Sequence, residues 1–132
     1  MIWLAVALGG ALGAISRYGL MQYLMPVEAK QFPWGTLTVN IVGSALIGLC
    51  YVLLVEKQWV DIKWVAIEWR PFLMVGFLGA FTTYSTFALE SFLLWQSGQI
   101  HFAISYAMAS LLGCILAVSA SIFIITFVTT HG

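Results

Sequence analysis

The sequence predicts an all-α membrane protein with four transmembrane helices. Two observations carry that reading. Of its 132 residues, 62% are hydrophobic and only 8% are charged, and the mean hydropathy is +1.01. A soluble domain of ordinary composition carries roughly 25% charged residues, so this chain has too little polar surface to present to water. The apolar residues also gather into four stretches, each near the ~20 residues that a helix needs to cross the hydrocarbon core.

The stretches make a single four-helix domain over 1–132, with spans at about 2–25, 34–55, 71–95 and 100–129. The first stops at Pro26, because the residue before a proline is pushed out of helical geometry. It has no basic leading region and is too long for a signal-peptide core, so it reads as a retained helix. The second opens near Trp34-Gly35. The third begins after Pro71, a residue tolerated in a first helical turn. The fourth holds no charge, and its ends project from the hydrocarbon. Trp3, Tyr23, Trp34, Trp59, Trp64, Trp69 and Trp95 lie near proposed ends, where aromatic belts form. The polar interlude from Glu56 to Arg70 mixes charges with tryptophans and reads as an interfacial connection. Cys50 and Cys114 both fall in apolar segments, which suggests no disulfide framework.

Four spans put both termini and the Glu56–Arg70 connection on one side, with Lys57, Lys63 and Arg70. The other side holds Lys30, with Arg17 close by inside the first span. Lys and Arg set orientation, and three against two is almost no bias. One reading is a single, weakly specified orientation; the other is that both orientations insert and pair as an antiparallel dimer.

Polar groups inside spans are costly and are the usual working parts. The second span carries Thr36, Asn40, Ser44 and Gly48 at four-residue spacing, a stripe along one helix face. Tyr106, Ser110 and Cys114 repeat that spacing in the fourth. Small and hydroxylated residues also serve plain helix packing, and Gly9 and Gly13 fit that use. The third span is denser: Gly76 and Gly79, then Thr82-Thr83, Ser85-Thr86 and Glu90. Such a run loosens a helix, and a break at membrane depth is tolerated only where protein or water covers it. A non-helical turn near Gly79–Thr83, buried at a helix or subunit interface, is therefore expected, with carbonyls and amides free to bind ions.

Three motifs carry a resemblance to a family. Gly9-Gly10-Ala11-Leu12-Gly13-Ala14-Ile15-Ser16-Arg17-Tyr18, Gly35-Thr36-Leu37-Thr38-Val39-Asn40-Ile41-Val42-Gly43, and the stretch from Gly76 to Glu90 containing Thr82-Thr83-Tyr84-Ser85-Thr86-Phe87 resemble, in order and spacing, the first three helices of Fluc-type (CrcB family) fluoride channels. The resemblance runs from end to end of the chain. It implies a fluoride-selective channel for passive fluoride export across the cytoplasmic (inner) membrane, relieving fluoride toxicity. It further implies an antiparallel, dual-topology homodimer with the third helix broken at mid-membrane. A structural sodium ion at the dimer centre would be held by the backbone carbonyls of Gly79 and Thr82. The family's paired phenylalanines fall on Tyr84 and Phe87, flanking Ser85-Thr86. Its pore asparagine falls on Asn40, and its fourth-helix polar track on Tyr106, Ser110 and Cys114. Tyr84 replaces the usual phenylalanine, and Cys114 stands where serine is common.

The residue chemistry suits such an anion. Fluoride is small and strongly hydrated, so a pore must replace water with close donors, which hydroxyls, amide N–H groups and aromatic ring edges provide. Asn40, Thr83, Thr86, Ser110, Tyr84 and Phe87 offer these without a buried cation that would bind the ion too firmly to release it. Arg17 reads either as a snorkelling side chain or as part of an anion-gathering vestibule. Glu90 would repel fluoride, and either faces a water-filled mouth or is protonated. A small proton-coupled drug exporter would share the spans and the charge balance, but it calls for an acidic residue in the first span, which has none. A non-transporting scaffold would explain the small residues but not the break. His101 and His131 lie at or past the ends of the last span, without partners at catalytic or metal-ligand spacing, so no enzyme is expected. Zero net charge and no basic patch argue against a nucleic-acid partner.

Overall fold

The computed structural model of the protein describes residues 1–24, 32–56 and 69–131. Lys30, Lys57, Lys63, Trp59 and Trp64 lie outside the described residues, as does Met25. Among the described residues every regular element is helical. Helix α1 is Ile2–Leu24. Helix α2 is Trp34–Tyr51, prolonged by a π-wound turn at Val52–Glu56. The third span comes in pieces: π-wound α3 (Pro71–Leu78), a single turn α4 (Gly79–Phe81) and α5 (Tyr84–Gln96). Helix α6 is Ile100–His131.

Four segments, Ile2–Leu24, Trp34–Glu56, Pro71–Gln96 and Ile100–Thr130, are long and apolar enough to cross a bilayer. The protein is a multi-pass membrane protein. Three of these segments run one residue past the ends expected from hydropathy. Backbone groups in the headgroup region still need partners, and the helical ladder supplies them beyond the last apolar side chain.

Lipid tails are as apolar as the side chains, so helices associate here through close packing rather than through the hydrophobic effect. Helix α1 lies against α3 and α4, and α2 against α6. A Cβ added at Gly9 would overlap the Phe72 carbonyl, and one at Gly13 the Phe77 carbonyl. On the facing side, a Cβ at Gly76 would stand 2.7 Å from the Val6 carbonyl oxygen. The α1–α3 seam is thus backbone against backbone, and only glycine permits that approach. Between α2 and α6, Ser121 Oγ donates to the Ala45 carbonyl at 2.8 Å. Helices α5 and α6 are joined by a tight turn in which Gly98 adopts φ +77°. There the Gln99 amide closes on the Leu94 carbonyl at 3.0 Å, a glycine-terminated helix end that sends α6 back alongside α5. The buried core at that end comprises Leu37, Leu94, Ala103 and Tyr106, with Phe32, Ile41, Phe87 and Ala109 packed on it. Leu111, Leu112, Ile115, Leu116 and Phe123 of α6 are exposed, and an apolar exterior of that kind suits lipid contact.

Candidate functional site: a groove beside an interrupted helix

The third span stops being helical at two residues. Thr82 (φ −79°, ψ 156°) and Thr83 (φ −148°, ψ 113°) are both extended. Two sets of side-chain hydrogen bonds hold this geometry. Thr83 caps α5: its Oγ1 accepts from the Thr86 amide at 3.2 Å and donates to Thr86 Oγ1 at 2.9 Å, the usual way a threonine satisfies a helix's first free amides. Asn40 of α2 clasps the same residue from across the interface. Its Oδ1 accepts from the Thr83 amide at 2.8 Å, and its Nδ2 donates to the Thr83 carbonyl at 3.1 Å.

These bonds divert two amides from the helical ladder. In a continuous helix the Thr83 amide would serve the Gly79 carbonyl, and the Thr86 amide the Thr82 carbonyl. Here the first goes to Asn40 and the second to the Thr83 hydroxyl. Tyr84 and Ser85 open the new helix, so the carbonyls of Ala80 and Phe81 lose their ladder donors together with those of Gly79 and Thr82, leaving neutral oxygens of a kind that suits a hard cation.

Beside the interruption lies a groove of about 580 Å³ between α2, the third span and α6. Of the residues singled out from sequence, Asn40, Gly79, Thr82, Thr83, Tyr84, Phe87, Ser110 and Cys114 line it. The Tyr84 and Phe87 rings lie 5.5 Å apart, and Tyr84 is 80% exposed. Ser110 is only 7% exposed, yet its Oγ has no hydrogen-bond partner among the described residues. A buried hydroxyl without a partner costs on the order of 1–3 kcal/mol.

Other expected residues stand apart from the lining. Thr86 Oγ1 accepts from the Thr83 hydroxyl, and Ser85 Oγ is 3.4 Å from that hydroxyl. Arg17 sits on α1, which contributes nothing to the lining. Tyr106 is fully buried, and its hydroxyl donates to Glu90 Oε2 at 2.7 Å, while Thr36 Oγ1 donates to Glu90 Oε1 at 2.8 Å. Glu90 is thus pinned between α2 and α6 by one hydroxyl on each carboxylate oxygen. The Tyr106 ring packs in turn at a tilt against Phe87, with centroids 5.2 Å apart, and edge-on to Phe32 at 5.6 Å, linking this cluster to the groove.

Two residues carry more than their sequence position disclosed. Thr36 stood out only as one member of a polar stripe, and its partner is 54 residues away. Arg70 counted only as a topology charge. Its guanidinium donates through Nη2 to the Leu54 carbonyl at the π-wound end of the second span, where a cation also suits the negative end of the helix dipole.

Comparison with known proteins agrees with this architecture. Residues 4–122 match the family profile described as CrcB-like protein, Camphor Resistance (CrcB). A protein of Saccharophagus degradans named fluoride-specific ion channel FluC is 52% identical over 122 residues, covering 92% of this chain and 87% of the relative. Its namesake in Hahella chejuensis is 49% identical over 117 residues, 89% of this chain and 88% of the relative. One from Thermus thermophilus is 46% identical over 116 residues, 87% of each. With four apolar spans, an interrupted third span and relatives this similar over nearly the whole length, the chain belongs to the CrcB family.

Proposed function

We propose that the protein is a fluoride-selective channel that lets fluoride leave the cell passively across the inner membrane, relieving fluoride toxicity, and that it performs no enzymatic step. The observation that carries this reading is that Ser110, buried and with a hydroxyl unpartnered among the described residues, lines a groove together with Asn40, Tyr84, Phe87 and Cys114, in a chain about half identical to proteins named for fluoride conduction.

The groove's free donors are few and graded. Ser110 offers an O–H. Asn40 has a second amide hydrogen beyond the one bonded to the Thr83 carbonyl. Cys114 adds a weak S–H donor. Tyr84 and Phe87 add ring edges, which carry the positive part of the aromatic quadrupole. A strongly hydrated anion exchanges its water for these contacts one at a time, and none of them is a fixed cation that would trap it. Thr83, Ser85 and Thr86 serve by holding the shape of the interruption. Tyr106 serves through Glu90, because its hydroxyl is already committed there. On this reading Arg17 and Glu90 lie toward the two aqueous mouths.

The interruption sits at mid-membrane, at the centre of an antiparallel, dual-topology homodimer, and Tyr84, so exposed in the single chain, is covered there. The Gly79 and Thr82 carbonyls would hold a structural sodium ion, whose charge satisfies the oxygens that the diverted amides leave behind. The decisive test is passive efflux from liposomes loaded with fluoride or with chloride. Release of fluoride, with chloride retained, is expected; equal release of both, or of neither, would end the proposal. A topology reporter on the C-terminus should give signal on both sides of the membrane, and signal on one side alone would remove the dual-topology part.

A further inference from the structure

We infer that Cys114 is a covalent modification site inside the groove, taking a small uncharged sulfur electrophile of the thiosulfonate class, and that the adduct closes the groove to anions. The second half rests on the channel reading; the first does not.

Two independent observations converge on this position. Cys114 carries a free thiol, is only half-buried, and lines the groove. One turn before it on the same face of α6, Ser110 is 93% buried, by its 7% exposure, and presents a hydroxyl that no group among the described residues engages. Residues four apart on a helix carry their Cβ atoms about 5–6 Å from each other, so a group attached to the Cys114 sulfur lies within one helical turn of Ser110. The rest of the lining selects the class of reagent. Ile47, Leu78, Leu111 and Ile115 give the groove apolar walls, which offer favourable contact to the methyl group of a small uncharged reagent. The other free thiol, Cys50, is also half-buried but lies outside the lining.

The chemistry balances without any further reactant. The Cys114 thiol gives its proton to water, and the thiolate attacks the divalent sulfur of methyl methanethiosulfonate. A new S–S bond forms, the S–SO₂ bond breaks, and methanesulfinate leaves with the electron pair. The cysteine becomes a methyl mixed disulfide: it loses its weak S–H donor and gains a methylthio group that narrows the groove one helical turn from Ser110. Dithiothreitol reverses the change by thiol exchange.

The test uses full-length protein in liposomes, with Cys50→Ala so that one thiol remains, and the wild type beside it. Each sample is treated with methyl methanethiosulfonate, mapped by peptide mass spectrometry, and assayed for fluoride efflux against its own untreated portion. The expected result is one methylthio adduct on the Cys114 peptide, efflux below a tenth of the untreated rate, and recovery in dithiothreitol. An unlabelled Cys114 in folded protein overturns the site, and a labelled Cys114 with unchanged efflux overturns the closure. Should Cys50→Ala fail to fold, the wild type decides the same points, because peptide mapping separates the two thiols. If untreated protein passes no fluoride, the channel reading and the closure fall together, while the label on Cys114 still decides the modification site.

Discussion

Replacing Asn40 with alanine removes both ends of the clasp on Thr83 and isolates what the clasp contributes. The Thr83 amide and carbonyl lose partners at 2.8 and 3.1 Å. Side-chain hydrogen bonds between membrane helices average about 0.6 kcal/mol each, which sets a lower figure of ~1 kcal/mol for the pair. Thr83 is buried, so water does not readily replace the lost partners, and each abandoned group can cost on the order of 1–3 kcal/mol. The free Thr83 amide can return to the Gly79 carbonyl and recover part of that by extending the helix. A net destabilisation of about 1–3 kcal/mol is expected, with the third span more continuous than before. Reversible unfolding in mixed micelles of increasing denaturing detergent measures the first, and amide hydrogen exchange at Thr83 the second. Asn40→Asp separates the two bonds, because it keeps the acceptor for the Thr83 amide while losing the donor to the carbonyl and adding charge to the groove. It should unfold closer to the wild type than Asn40→Ala, yet pass little fluoride. Wild-type stability in Asn40→Ala, within ~0.3 kcal/mol, would refute the view that this side chain holds the interruption open.

Gly13→Ala should cost about 1–3 kcal/mol by overpacking, since its Cβ would meet the Phe77 backbone, whereas Gly19→Ala, with open space around it, should be neutral in the same unfolding assay. Glu90→Ala strands the hydroxyls of Thr36 and Tyr106 and should lower stability by more than Tyr106→Phe, which removes one bond and keeps the ring stack; equal losses would mean that the carboxylate is not the hub. Phe87→Ile keeps apolar bulk but deletes the ring edge, so a folded variant should lose fluoride efflux; normal efflux would move the route away from this ring. Thr82→Ser keeps the backbone carbonyl and should retain activity, whereas a bulky residue at Gly79 should not, and equal behaviour of the two would count against carbonyl ligation of sodium.

The sequence by itself determined that the chain lives in a membrane and crosses it with four helices, because hydropathy is a sum of single-residue transfer free energies and needs no partner to be read. It also isolated the polar residues worth following, since any such group in lipid is costly enough to be noticed. Only the tertiary structure decided which of them are free to act. Thr83, Thr86, Tyr106 and Ser110 look alike in sequence as hydroxyls within spans, yet three are bonded, to Thr86, Thr83 and Glu90, and Ser110 alone of the four has no partner among the described residues. Thr83 and Thr86 find each other locally at the start of α5, Tyr106 reaches Glu90 through the pairing of α6 with α5, and the register of α2 places Asn40 on Thr83 and Thr36 on Glu90 across separations of 43 and 54 residues. Such registers depend on where backbones can touch, at Gly9, Gly13 and Gly76 between α1 and α3 and at Gly48 against Val118 between α2 and α6, and a close approach between two helices is a property of the pair that neither stretch of sequence contains alone.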